Sequence, residues 1–180
     1  MNYFDLNLQN PQLKEEELRL GFLDARTARI ISLKENRDMN SVNSKELISV
    51  ESANPELLRN CIRQRKPILC DPLPAANFYR DDGLIREAFD RETVFEIPIS
   101  EFLKANFVYR AKLINQTRNF IRRCLKLDAK FIFTSRAKEI YELKAPKEMI
   151  AIASTIFDLT EAQAQYAISK RAQEVLDAVQ

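Results

Sequence analysis

Histidine and tryptophan are absent from the 180-residue chain, and glycine is reduced to Gly21 and Gly83. Without histidine the commonest general base and the commonest metal ligand are both missing, which removes Ser-His-Asp triads and His-bearing zinc sites. Two isolated glycines cannot build a Walker-type phosphate loop or a dinucleotide fingerprint, each of which needs several at fixed spacing. The three cysteines, Cys61, Cys70 and Cys124, are odd in number and never fall in a CxxC spacing. Neither a disulfide framework nor a thiolate metal site is suggested, and a reducing compartment fits. No apolar run approaches the roughly 18 residues of a membrane span. The opening Met1-Asn2-Tyr3-Phe4-Asp5 lacks the basic-then-apolar layout of a signal peptide. A cytoplasmic location is expected.

What is present is 46% hydrophobic and 30% charged sequence, with 28 Lys plus Arg against 26 Asp plus Glu. That composition describes one globular, soluble domain over residues 1–180, with no linker or repeat dividing it. Short apolar runs alternate with longer helical patterns, the signature of strand–helix repetition around a parallel sheet. The strand candidates are Tyr3 to Leu8, Arg29 to Leu33, Leu47 to Val50, Ile68 to Cys70, Val94 to Ile97 and Phe131 to Thr134. Asn10-Pro11 and Asn54-Pro55 each pair a capping amide with a proline suited to the first helical position, and Ala145-Pro146 repeats the proline half. Thr160 to Gln163 has capping-box spacing, and Ser169 is expected to cap a last helix through Val175, Leu176 and Val179. Glu35 to Ser44 is polar and aperiodic, and reads as a surface loop. Six or seven strands of this kind suit either an open doubly wound sheet or a small (β/α) barrel. A full eight-unit barrel typically takes about 250 residues, so a barrel here is an abbreviated one.

Charge is unevenly spread. From Lys104 to Lys147 there are twelve basic and three acidic residues. On a helix from Phe107 to Leu127, Leu113, Ile114, Phe120, Ile121, Cys124 and Leu125 collect in one arc. Lys112, Asn115, Arg118, Asn119, Arg122, Arg123 and Lys126 fill the opposite arc, with no acid at i,i+4 spacing to pair them. Two readings stand: a solvated face, or a ridge whose Arg and Asn side chains fork onto polynucleotide phosphates. The second group, Arg59, Arg63, Arg65 and Lys66, fits a solvated helix better. Arg110 falls inside the apolar arc, which predicts a buried structural ion pair, with Glu96 on the preceding strand as partner.

Asp5, Asp71, Glu96 and Glu142 are the acids available for general acid–base work or a hard cation, but their spacing matches no metal template. Phe131 and Phe133 alternate on a strand without the glycine and aromatic pattern of an RNA-stacking sheet, so core packing accounts for them.

Several motifs then fall in a connected order. Asn54-Pro55-Glu56-Leu57-Leu58-Arg59, Pro67-Ile68-Leu69-Cys70-Asp71-Pro72 and Phe95-Glu96-Ile97-Pro98-Ile99-Ser100 are followed by Arg110 with the basic helix. Phe131 through Ala137, Leu143 through Glu148, and Ala167 through Leu176 complete the series, while Phe4-Asp5-Leu6-Asn7 stands at its head. The series resembles the ribonuclease P protein component 3 family, the archaeal counterpart of a eukaryotic nuclear ribonuclease P subunit. The resemblance implies an α/β fold, an abbreviated TIM-like (β/α) barrel of six or seven mostly parallel strands with a helical C-terminus. It is related to the polymerase-and-histidinol-phosphatase type of phosphoesterase. It further implies a non-catalytic subunit of the RNA enzyme that removes the 5′ leader of precursor tRNA, with ribonuclease P RNA and protein component 2 as partners. Mg²⁺ is then expected for the RNA catalyst and no cofactor for the protein. The phosphoesterase relatives begin their histidine metal ligands on the first strand, where this chain has Asn7, so no catalytic or metal-binding residue is expected. Arg136 stands where the family often has glycine. Expected RNA contacts are Arg118, Arg122, Arg123 and Lys126, with Arg136 and Lys138 as further candidates. The alternative is a metal-dependent phosphoesterase with carboxylate ligands.

Overall fold

The computed structural model describes residues 1–43 and 45–179. Five strands form an all-parallel sheet in sequence order: β3 (Arg29–Ser32), β4 (Ile48–Glu51), β5 (Leu69–Asp71), β6 (Val94–Pro98) and β7 (Phe131–Thr134). Two further strands, β1 (Phe4–Asp5) and β2 (Asp24–Ala25), pair with each other in parallel. The chain after β1 runs beside the chain after β7, since the Gln9 amide donates to the Ala137 carbonyl at 3.1 Å and the Ser135 amide donates to Asp5 at 3.1 Å. It also reaches toward β3, because the Leu8 amide donates to the Arg26 carbonyl at 2.8 Å and Gln9 to the Ala28 carbonyl at 3.2 Å.

Helices fill the connections: α1 (Lys14–Arg19), α2 (Pro55–Arg65), α3 (Asp82–Arg91), α4 (Ile99–Lys104), α5 (Phe107–Lys126), α6 (Pro146–Ile156), α7 (Glu161–Ile168) and α8 (Lys170–Ala178). The capping chemistry operates at several of them. Asn54 accepts from the Glu56 amide at 2.9 Å ahead of Pro55, and Thr160 accepts from the Gln163 amide at 3.2 Å while Gln163 accepts from the Thr160 amide at 2.9 Å. Asn10 caps only a 3-10 turn, Pro11–Leu13, that leads into α1. Ser169 does not cap α8 with its side chain; its hydroxyl donates back to the Gln165 carbonyl at 2.5 Å, ending α7 instead. In the expected loop, Asn36–Ser41 winds into a 3-10 helix, and Ser44 lies outside the described residues.

Alternation along the strands sorts side chains onto two faces. Val50, Cys70, Phe95, Ile97, Phe131 and Phe133 join the main core with α2, α3, α5, α6 and α7. Phe120 of α5 is its centre, with its ring edge-on to Phe95 at 4.9 Å and to Phe78 at 5.5 Å. On the opposite face Leu69, Val94 and Ile132 pack with Phe4, Leu6 and the α8 residues Ala172, Val175 and Leu176. Farther along that same face, toward the C-terminal ends, the residues turn polar: Ser49, Glu51, Asp71, Glu96 and Thr134. Strand periodicity thus places an acidic layer directly above a small apolar one.

Phe120→Ala removes a fully buried ring and both of its edge contacts, and is expected to cost about 3–5 kcal/mol. The lowered midpoint of a urea unfolding curve measures it.

Candidate nucleic-acid interface and buried charge cluster

The acidic layer closes on one guanidinium. Arg136 follows β7 and is 6% exposed. Its backbone takes the left-handed conformation at φ 48°, which β-carbon sterics disfavour and glycine adopts freely. That turn sends the side chain back over the strand ends, where it meets Asp71 at 2.7 Å, Glu51 at 3.1 Å and Glu96 at 3.2 Å. Glu96 also accepts from Asn7 at 2.7 Å and Thr134 at 2.6 Å, and from the Ser49 hydroxyl. Ser100 holds the turn, its amide donating to the Ser135 carbonyl at 3.1 Å and its hydroxyl to the Arg136 carbonyl at 3.3 Å.

Burial works against the charge of Arg136, but Glu96, Asp71 and Glu51 outweigh it and strengthen its hold on the proton. Burial pushes the Asp71 carboxyl up to about 7, with Arg136 pulling the other way. The guanidinium occupies the space between the carboxylates in which a divalent cation would have to sit. Among the described residues no group of three or more Asp, Glu or Cys side chains is arranged to hold a metal.

These contacts correct two expectations. Arg136 lies inside the fold among carboxylates instead of facing RNA. Glu96 is in a buried ion pair, but with Arg136 and not with Arg110. The first turn of α5 extends beyond the core, leaving Phe107 85%, Val108 78% and Tyr109 52% exposed. Arg110 is therefore exposed as well, and its guanidinium ties the α4–α5 junction by donating to the Leu103 carbonyl at 2.9 Å and the Ala105 carbonyl at 2.8 Å. Burial of the apolar arc begins at Leu113, and Leu125 at its far end is 43% exposed. Glu142 pairs with Lys104 at 3.1 Å and accepts from the Lys138 amide at 2.7 Å, which fixes the turn after β7.

The polar face of α5 is not unpaired, because acids arrive from other elements. Arg118 is half-buried and donates to the Ile156 carbonyl at 2.7 Å, closing the end of α6, with Asp158 at 3.2 Å. Arg122 meets Asp158 at 2.7 Å and Arg123 meets Asp82 at 2.6 Å. Lys126 and Lys138 are exposed and have no carboxylate partner among the described residues. Arg59 and Arg63 are paired with Asp81 and Glu87, as a solvated structural helix requires.

Tertiary packing adds what α5 alone does not display. A solvent-open cleft of about 530 Å³ lies between α5, α3 and the Phe78–Arg80 turn. Arg122, Arg123 and Lys126 line one wall, and Arg80 and Arg86 the other, with Asp82 the one acid in the lining. Arg80 and Arg86 sit outside the basic segment from Lys104 to Lys147, beside Asp81 and Asp82, so local charge counting passes over them. Arg118 and Lys138 lie outside this cleft; Lys138 borders a second, smaller one over Arg136, Asp71 and Glu51.

A protein-family model described as RNase P subunit p30 matches residues 27–180. The chain belongs to the RNase P subunit p30 family. It is similar to Ribonuclease P protein component 3 of Methanothermobacter thermautotrophicus, at 26% identity over 94% of this chain and 69% of the relative. A chain from the cryo-EM structure of archaeal Ribonuclease P with mature tRNA shares the fold, with a TM-score of 0.71 and 16% identity over 97% of this chain and 79% of that one. A. niger ochratoxinase shares it more distantly, with a TM-score of 0.56 and 10% identity over 97% of this chain and 60% of that one.

In this p30-family chain, residues 1–26, which precede the matched region, hold a second buried acidic pair. Asp5 accepts from the Ser135 amide at 3.1 Å and from its hydroxyl. Burial raises its carboxyl above the ordinary range, against the pull of those bonds. Glu17 of α1 is fully buried beside Asp5, where its protonated carboxyl can donate to the Asp5 carboxylate. Burial, together with the neighbouring Asp5 charge, pushes it up to about 9.

Between pH 4.5 and 9 the folded chain keeps a proton on Glu17 that the unfolded chain has lost. Stability from this site is therefore complete at low pH and falls by up to about 1.4 kcal/mol per pH unit as pH rises through that window. Glu17→Gln is expected to flatten the alkaline limb of a stability–pH profile and to raise the unfolding midpoint at pH 8. Arg136→Met leaves three carboxylates without their cation and is expected to cost about 3–5 kcal/mol at neutral pH. That deficit should shrink as pH falls below about 7, where the Asp71 carboxyl takes up a proton and no longer needs the cation, in the same urea titrations.

Proposed function

We propose that this protein subunit of ribonuclease P, the enzyme that processes precursor tRNA, is a non-catalytic RNA-binding subunit that contacts phosphates through the cleft beside α5. The carrying observation is the convergence of Arg80, Arg86, Arg122, Arg123 and Lys126 on one cleft with a single acid. Guanidinium forks match phosphate oxygens in a bidentate fashion, and such contacts position a protein on RNA without reading its sequence. The cations paired with Asp82 and Asp158 are held in place by surface ion pairs, which are weak enough for polyphosphate to replace.

The cluster at Arg136 supports the non-catalytic part of the reading. A general acid–base or metal site needs carboxylates free to exchange protons or ligands, and here Glu51, Asp71 and Glu96 are bound to an internal arginine. Those ion pairs weigh against the alternative of a metal-dependent phosphoesterase with carboxylate ligands. The fold we infer is an abbreviated parallel barrel. The sequential order of β3 to β7 and the bonds from Gln9 and Asp5 to Ala137 and Ser135 support closure through β1 and β2. Ribonuclease P RNA and protein component 2 are the proposed partners, precursor tRNA the substrate of the assembly, and Mg²⁺ the ion required by the RNA.

Cleavage of precursor tRNA by the cognate RNA with component 2, with and without this chain at fixed Mg²⁺ and salt, tests the subunit's role. Acceleration that requires both proteins is the expected result; no effect from the folded chain would overturn it. Charge reversal in the double variant Arg122→Glu, Arg123→Glu is expected to weaken RNA binding and to flatten log K against log salt by roughly one unit per lost phosphate contact. An unchanged slope would remove these residues from the interface.

A further inference from the structure

Beyond its cations, the cleft has an aromatic wall that simple phosphate neutralisation does not require. Tyr79 is half-buried in the lining, and the Arg80 guanidinium carbon lies 5.1 Å from its ring centroid, forming a flat cationic and aromatic stack. The turn carrying them is anchored from below. Phe78 is buried, packs on Phe120 of α5 with centroids 5.5 Å apart, and stands edge-on to Tyr79 at 5.9 Å. The stack is thereby held at a fixed distance from Arg122, Arg123 and Lys126 on the facing wall. Asn119 of α5, half-buried in the lining, adds an amide able both to donate and to accept.

We propose that this cleft holds an unpaired nucleotide of the RNA, its base stacked against Tyr79 and Arg80 and its flanking phosphates on Arg86, Arg122, Arg123 and Lys126. The proposal rests on the RNA-binding reading and narrows it from backbone contact to recognition of single-stranded RNA. Three features favour this occupant. Every nucleobase has a π-face, so an aromatic wall beside a cationic one suits a strand whose bases are splayed from their partners. In a duplex the bases are stacked on one another and only phosphate and ribose are presented, leaving a tyrosine wall without use. The volume of about 530 Å³ lies within the range of pockets that enclose small organic ligands, roughly 300–1,000 Å³. Arg86 and Lys126 have no carboxylate partner among the described residues, and so are available without breaking an ion pair.

The test compares a fluorescein-labelled single-stranded 8-mer RNA with a duplex of the same length, by anisotropy at fixed salt. It uses the full chain and its Tyr79→Leu, Tyr79→Phe and Arg122→Glu, Arg123→Glu variants. Expected are tighter binding of the single strand and about tenfold weaker single-strand binding by Tyr79→Leu, with duplex affinity and salt slope unchanged. Tyr79→Phe should behave as the unaltered chain, and the charge reversals should weaken both RNAs. In the unaltered chain, 4-thiouridine placed in the single strand should cross-link to the Tyr79–Arg80 turn, a readout that does not depend on how Tyr79→Leu folds.

Equal affinity for both RNAs, or cross-links confined to other surfaces, would overturn the nucleotide site while leaving the RNA-binding subunit intact. Competition by polyglutamate as strong as by single-stranded RNA, with no effect of Tyr79→Leu, would assign the cleft to an acidic peptide and overturn the proposal. Failure of both RNAs to bind, with the charge reversals silent, would remove the RNA-binding reading and this inference together.

Discussion

The end of the sheet is organised around one buried guanidinium. Asp71, Glu51 and Glu96 come from three neighbouring strands and would repel one another in a water-poor interior if Arg136 were not among them. The arginine is in turn held by a left-handed turn that its own ion pairs stabilise, and by Ser100 from the start of α4. Glu96 gathers Asn7, Ser49 and Thr134 around the same charge, so β4, β6, β7 and the segment after β1 meet at one network. A buried network of this kind, in which the Arg136 Nε is left without a partner among the described residues, is unforgiving, because removing any member strands a further charge or polar group.

That network also bears on function. A sheet end that gathers acids from several strands is a place where an enzyme assembles a metal or a proton-transfer site. In this member of the RNase P subunit p30 family the acids are already neutralised from within, and the cationic surface is elsewhere, on the outer helices. The structural arginine and the surface arginines therefore have separate tasks. One stabilises charge that cannot reach water, and the others present charge to solvent along a cleft.

The basic surface is a product of packing between elements. Helix α5 presents its cations to solvent because Leu113, Phe120, Ile121 and Cys124 turn the other side onto the sheet. The Phe78–Phe120 contact then brings a distant turn alongside, and with it Tyr79 and Arg80. A ridge on a single helix thereby becomes a cleft with two walls, one of them aromatic.

Much of this was legible in the residues themselves. Six of the seven strands fall where apolar runs stand, β1 shorter than its run and the others with ends shifted by at most a residue, and Asn54-Pro55 and Thr160 to Gln163 start helices by local capping chemistry. The two-residue strand β2 and the six-residue helix α4 are too short to carry a periodic signal that stands out. Local pattern also identified Glu96 as the acid of a buried ion pair. It chose the wrong arginine, because a helical wheel treats all turns of α5 as equally buried while the first turn overhangs the core. Which arginine enters the fold was decided by the φ of 48° at Arg136, a backbone turn with no residue signature in this chain. The acids that pair with α5, and the Arg80–Tyr79 wall that faces it, come from segments about 40 residues away in either direction. Composition and periodicity act over a few neighbouring residues and determined the class of fold and the cationic helix. Only tertiary packing, which joins residues distant along the chain, decided which charges are buried, which are paired and which are left exposed on the cleft beside α5.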